Sequence, residues 1–271
     1  MLKYGKSTFI GLIISISFVV GGMIATGHAQ SFWNVPSAFI IMGGTAGAVV
    51  IAFPPKRLKT LVPVMKRSLK KDEFDIKEDI LALVKIAEVS RKSGVLSLED
   101  SVGEYTDDPF IKKGVLLIVD GADEEQLRNL LEGSTYFMKQ RHQNGAAMLS
   151  MIAATAPALG LLGTYVGLIP MLNSLDDPTT LGPMMALELV SSFYGAFIAY
   201  VIFSPMAKRL KLMSKDEESR RELLIEGLAS IQQGKNPNLL KAELSAFANI
   251  DMETPEKNEE TNTFKVKEVV N

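Results

Sequence analysis

The sequence predicts an all-α integral membrane protein. It has four transmembrane helices, a helical cytoplasmic insert between the second and third spans, and a helical cytoplasmic segment after the fourth. Three observations carry this. First, charge vanishes from long stretches: no charged residue occurs between Gln143 and Leu175, and only Glu188 between Pro178 and Ala207, where about twenty apolar residues suffice to cross a bilayer. Second, the basic residues are one-sided. Lys3 and Lys6, Lys56, Arg57 and Lys59, Lys139 and Arg141, then Lys208, Arg209 and Lys211 flank one set of helix ends, whereas the loops GHAQSF and NSLDDPTTLG hold no lysine or arginine. The positive-inside rule then places both termini in the cytoplasm. Third, what remains is polar, with helical periods and no strand alternation.

The elements follow in order. Ser7 to Thr26 is the first span; the lysines ahead of it resemble a signal peptide, but its apolar core continues to Thr26 and a second run follows, so it is retained. Trp33 opens the second span at the interface, and Pro54-Pro55 ends it at Phe53, because proline supplies no amide donor. Residues 1–53 are thus an N-terminal hairpin with spans at about 7–26 and 33–53. Residues 54–143 form the cytoplasmic insert. In it Ile76, Ile80, Leu83, Val84 and Ala87 keep helical spacing up to Gly94, which stops the helix. FIKKGVLLIVDG is a second helix, and ADEEQLRNLLEGSTYFMKQRHQ a third whose acidic first turn suits the helix dipole and which runs on into the third span. Residues 144–207 form the second hairpin, with spans at about 146–173 and 181–205 around the turn Asp176-Asp177-Pro178. Residues 208–248 are amphipathic cytoplasmic helices, and 249–271 a polar, disordered tail.

The second hairpin holds the candidate site. Thr164 lies fourteen residues before Pro178 and Ser192 fourteen after it, so the two hydroxyls share one depth. Pro157, Gly160, Thr164, Gly167 and Met171 make one helical stripe, and Glu188, Ser192, Gly195 and Ala199 another. Gly160, Gly163, Gly167 and Gly195 are residues of the kind that let membrane helices approach closely. Hydroxyls at matched depth suit an ion path; equally, each hydroxyl can bond back to a carbonyl of its own helix. Glu188 is the single carboxylate inside a span and, two to three turns from the loop, reads as an interfacial group that attracts cations to the mouth of the path. Pro157 and Pro205 leave the carbonyls of Ala153 and Val201 without their usual donors, as static kinks or as hinges. Arg91, Lys92, Glu99 and Asp100 bracket a turn at the end of the amphipathic helix. They form either a solvated cluster or a docking surface for a charged partner.

Several function classes are excluded. The chain has no cysteine and two distant histidines, His28 and His142, so no metal site or nucleophilic triad can be assembled. No phosphate-binding glycine loop is present, and the Asp107-Asp108 and Asp176-Asp177 pairs, each followed by proline, read as turn punctuation. A net charge of −2 argues against a nucleic-acid partner. No enzyme activity and no cofactor are expected.

The motifs RKSGVLSLED, VDG, RHQNGA, TAPALGLLGTYVGLI and LGPMMALELVSSFYG resemble those of the MotA/PomA family of flagellar stator subunits, over residues 1 to about 245. The resemblance implies a homopentameric ring in the bacterial inner membrane around the helices of a single-span partner, MotB, whose membrane aspartate loads and releases the ion. It implies that Thr164 and Ser192 line the ion site, that Arg91 and Glu99, with Lys92 beside them, face the rotor protein FliG, and that Pro157 and Pro205 move during torque generation. Gly163-Thr164 is similar to sodium-driven members, while Ser192 departs from the threonine expected there and Glu188 lies outside the pattern, so sodium and proton both stay open. The small-residue stripes are expected to face the ring centre and the first two spans lipid. The ExbB/TolQ energy transducers are similar in the last two spans but typically have three, so the N-terminal hairpin argues against them. A permease would show a repeat of spans, and a passive scaffold would not need the paired hydroxyls.

Overall fold

The computed structural model describes residues 6–69, 74–173 and 175–249. The tail expected from 249 onward lies, but for Asn249, outside the described residues, as does Lys3. Among the described residues every regular element is helical. Four helices among the described residues are long and apolar enough to cross a membrane. The chain divides into two compact units, one of Met1–Asp72 with Phe137–Asp216, the other of Glu73–Tyr136 with Glu217–Asn271.

The first unit contains the spans. α1 (Lys6–Ala25) is followed by a 3-10 turn at Ala29–Phe32. The second span is α2 (Val35–Ala38), a π-helical turn at Phe39–Gly43 and α3 (Gly44–Ala52). Asn34 caps its start, accepting from the Ser37 amide at 3.0 Å, with Pro36 in the first turn where no donor is missed. Two short helices follow, α4 (Pro55–Leu58) and α5 (Leu61–Ser68). Leu61, Val64 and Met65 of α5 pack on Ala146, Leu149, Met206, Ala207 and Leu210, so this part of the polar insert belongs with the spans.

The second unit is built on α6 (Ile76–Ser93), α7 (Leu98–Tyr105) and α8 (Pro109–Val119). α6 ends at Gly94, whose φ of +83° is a left-handed conformation that a side chain would strain. The 50-residue α9 (Glu124–Asn173) runs without a break from the insert into the third span, as the sequence predicts. The fourth span is α10 (Pro178–Ala196) and a second π-helical segment, Phe197–Phe203, continuing into α11 (Ser204–Gln232). α12 (Pro237–Phe247) closes the fold, capped by Asn236. Ile80, Leu83, Leu98, Ile111, Leu127, Leu131, Leu224, Leu228, Leu240 and Leu244 form the core of this second unit. The insert and the segment after the fourth span, separate in the sequence, therefore share one core.

Candidate functional site

The third and fourth spans touch backbone to backbone, and glycine is the reason. A Cβ added at Gly195 would lie 2.6 Å from the Ala156 carbonyl oxygen and 3.2 Å from the Cα atoms of Gly160 and Pro157. One at Gly160 would meet the Ser191 carbonyl at 3.1 Å, and one at Gly167 the Met184 carbonyl at 2.9 Å and the Glu188 amide at 3.2 Å. At Gly163 it would overlap the Ser191 side chain, 2.6 Å from Oγ. The glycine positions of both stripes are therefore occupied by the contact between the two spans rather than presented to an open centre. Ala156 and Ala199 close the same contact with Ile41 of the second span.

The candidate ion-path hydroxyls fall at the margin of this contact. Thr164 is half-buried, and its Oγ1 donates to the Leu161 carbonyl at 2.7 Å, the local bond that the sequence left open. Ser192 is exposed, although its Cα lies 3.4 Å from the position a Gly160 Cβ would take. Glu188 is half-buried against Gly167. Pro157 stands at the tightest point of the crossing. Pro205 is exposed and directly follows the π-helical segment, where the Ser204 amide reaches five residues back to the Ala199 carbonyl. The helix has thus widened just ahead of a residue that has no donor to give.

A second set of hydroxyls was missed by the sequence reading. Ser191, not Ser192, is the fully buried serine of the fourth span. Its Oγ donates to Ser37 Oγ at 2.9 Å, and Ser37 Oγ lies 3.0 Å from Asn34 Oδ1 and 3.2 Å from the Leu187 carbonyl. Tyr194 donates to the Phe32 carbonyl and accepts from the Asn34 amide. This network ties the start of the second span to one face of the fourth. In hydrocarbon, where no water replaces a lost partner, such bonds fix rotation about the helix axis. The cap signature Asn34, Pro36, Ser37 was the available signal; its partner 154 residues away was not. Where the two π-helical segments approach each other, an apolar groove of about 630 Å³ is lined by Trp33, Val35, Phe39, Met42, Phe197 and Ile198 among others.

In the second unit Arg91, Lys92, Glu99 and Asp100 are all exposed. The basic pair lies in the last turn of α6 and the acidic pair in the first turn of α7, each the favourable end for its charge. Between them Leu96 is 75 % exposed. No cluster of histidine, aspartate and glutamate suited to a metal ion occurs among the described residues.

Comparison with known proteins agrees along most of the chain. Residues 9–94 match the motility protein A N-terminal family, and residues 103–223 the MotA/TolQ/ExbB proton channel family. The chain is 37 % identical over 245 residues to motility protein A of Bacillus subtilis (strain 168), covering 89 % of this chain and 90 % of that one. It is 33 % identical over 246 residues to the chemotaxis protein PomA of Vibrio alginolyticus, covering 90 % and 95 %. Its fold is similar to a solved structure of the flagellar MotAB stator complex from Bacillus subtilis, with a TM-score of 0.82 at 33 % identity over 97 % of this chain and 100 % of that one. A solved structure of C. jejuni MotAB is similar with a TM-score of 0.83 at 25 % identity over 94 % of this chain and 99 % of that one. With two family matches in tandem and relatives of this identity along nearly its full length, the chain belongs to the motility protein A family.

Proposed function

We propose that this protein is the stator subunit of a bacterial flagellar motor and forms, with a MotB-type partner, an ion channel that couples cation flow to torque. The observation that carries this reading is the likeness to flagellar MotAB stators across both hairpins and the cytoplasmic helices together. The reading is mechanical rather than enzymatic. Five copies form a ring in the inner membrane with both termini cytoplasmic. Thr164 and Ser192, at the margin of the glycine contact, face the partner helix, which supplies the carboxylate these spans lack at mid-membrane depth. Glu188 concentrates cations at the entrance, and Pro157 and Pro205 let the cytoplasmic ends move. Arg91, Lys92 and Glu99 engage the rotor protein FliG, where exposed charges of both signs steer a complementary surface. The hydroxyl at Thr164 favours sodium as coupling ion, since an added oxygen is a hard ligand for an alkali cation.

The test is complementation. In a bacterium lacking its own stators, this chain and its single-span partner restore swimming, and Thr164→Leu abolishes it while membrane insertion and ring assembly persist. Failure of the wild-type pair to restore motility refutes the stator reading, and motility retained by Thr164→Leu refutes the assignment of the path. Replacing sodium by potassium in the medium then identifies the ion: swimming stops under sodium coupling and continues under proton coupling.

A further inference from the structure

The charged turn proposed to meet the rotor is the tip of a helical hairpin, and a single side chain closes the base of that hairpin. α6 leads out from Asp79 to Arg91 and Lys92; α7 leads back from Glu99 and Asp100 towards Asp108, which opens α8. Both ends converge on Arg220 of α11. Its Nε and Nη2 donate to the two carboxylate oxygens of Asp79, each at 2.6 Å, and Nη2 also donates to Asp108 Oδ2 at 2.6 Å. The group is nearly dry: the side chains of Arg220, Asp79 and Asp108 are 12, 9 and 18 % exposed. The guanidinium also lies over the Phe74 ring, 5.1 Å from its centroid. Asp108 serves twice, because its Oδ1 accepts the Phe110 amide at 2.7 Å and the Ile111 amide at 3.3 Å as the cap of α8.

We infer that Arg220 is a positioning residue for torque transmission, which aims the Arg91–Glu99 turn by pinning the base of its hairpin to the helix that continues the fourth span. The inference rests on the proposed rotor-facing role of that turn. Apolar packing against α11 and α12 buries the inner face of α6, but such packing is non-directional and tolerates sliding. A planar fork holding two carboxylates from different helices does not. The leverage is large. From Asp79 to the end of α6 at Ser93 the helix rises about 21 Å, so a tilt of about 10° at the base displaces the tip by about 4 Å. Arg220 stands on α11 (Ser204–Gln232), the helix that follows the fourth span, and its two carboxylate partners lie in the same unit as itself. A lysine could meet one carboxylate but could not grip both at once.

The chain has no cysteine, so introduced cysteines are unique spin-label sites in the full-length protein in lipid nanodiscs. One label pair, at Leu96 and Leu130, spans tip and body; the other, at Leu239 and Leu130, stays off the hairpin, and all three positions are exposed. Arg220→Gln broadens or shifts the first distance distribution by a few ångströms and leaves the second unchanged; Arg220→Lys gives a smaller change in the same direction. An unchanged first distribution overturns the inference. So does equal broadening of both, which marks a general loosening of the unit. In motors, Arg220→Gln stators are recruited and conduct ions but deliver less torque at stall; full torque overturns the inference. If reversing the charges of Arg91 and Glu99 leaves torque intact, the rotor-facing reading fails, and the label distances still decide what Arg220 holds.

Discussion

Replacing Gly195 by alanine places a methyl group where the fourth span has no room for one. The new carbon would lie 2.6 Å from the Ala156 carbonyl oxygen, and restoring even 3.0 Å requires the two spans to part by 0.4 Å. Backbone from the third span blocks it on every near side, at Ala156, Pro157 and Gly160, so no side chain can rotate away to make space. Overpacking of this kind costs about 1–3 kcal/mol, equivalent to about a 5- to 150-fold loss in the folding equilibrium. The natural control is Gly47→Ala inside α3, where an added carbon meets nothing within 4 Å and no proline follows. Both changes bring the same gain in helix propensity, so their difference isolates the steric cost. Unfolding of the full chain by dodecyl sulfate in mixed micelles measures it. Equal stability of Gly195→Ala and Gly47→Ala would falsify the backbone contact between these spans, and with it the placement of Thr164 and Ser192 at its margin.

Three further outcomes are expected. Ser37→Ala costs more stability in the same unfolding assay than Ser191→Ala, because it strands the buried Ser191 hydroxyl in hydrocarbon, whereas Ser37 without Ser191 keeps two acceptors; the reverse order contradicts the network. Asp108 titrates below its ordinary value of 3.8: burial pushes the carboxyl up, and the hydrogen bond and charge of Arg220, with the Phe110 and Ile111 amides, more than offset it. A depressed folded-state pKa gives stability that is complete above 3.8 and lost as the pH falls through the folded value. The stability gap between wild type and Asp108→Asn, which keeps the helix cap, is therefore full at neutral pH and narrows in acid below that value; a pH-independent gap refutes the charge contribution. Finally, Glu188→Gln shifts the dependence of swimming speed on cation concentration towards higher concentration, and an unaltered dependence removes Glu188 from the entrance.

The elements most legible in the sequence are those with a long physical signature. Uncharged runs mark the spans, because hydrocarbon tolerates almost no charge over about 30 Å. Gly94 marks the end of α6, because only its φ of +83° lets the chain leave there without strain. The short helices α5 and α7 give two turns of pattern each, too few to separate a helix from a turn, and the SRKSGVLSLED stretch read as a turn contains the start of α7. Spacing from Glu188 singles out Ser192, yet the fully buried hydroxyl is its neighbour Ser191, since a stripe counted along one helix does not say which side a second helix will cover. Arg220 is invisible for the same reason. In the run of charges around it, nothing marks one residue whose partners lie 141 and 112 residues away.

A π-turn amounts to an α-helix carrying one surplus residue. The segment Phe197–Phe203 therefore works as a slack turn: each of its residues advances the helix by less than the roughly 100° of α winding, so losing one and reverting to α winding leaves the faces that follow close to where they were. Single-codon insertions and deletions, ruinous elsewhere in a membrane span, can be absorbed at this site. A lineage could thereby gain or lose a residue here, Ala199 excepted because it packs on Ala156 and Ile41, and keep the phase of the helix that follows.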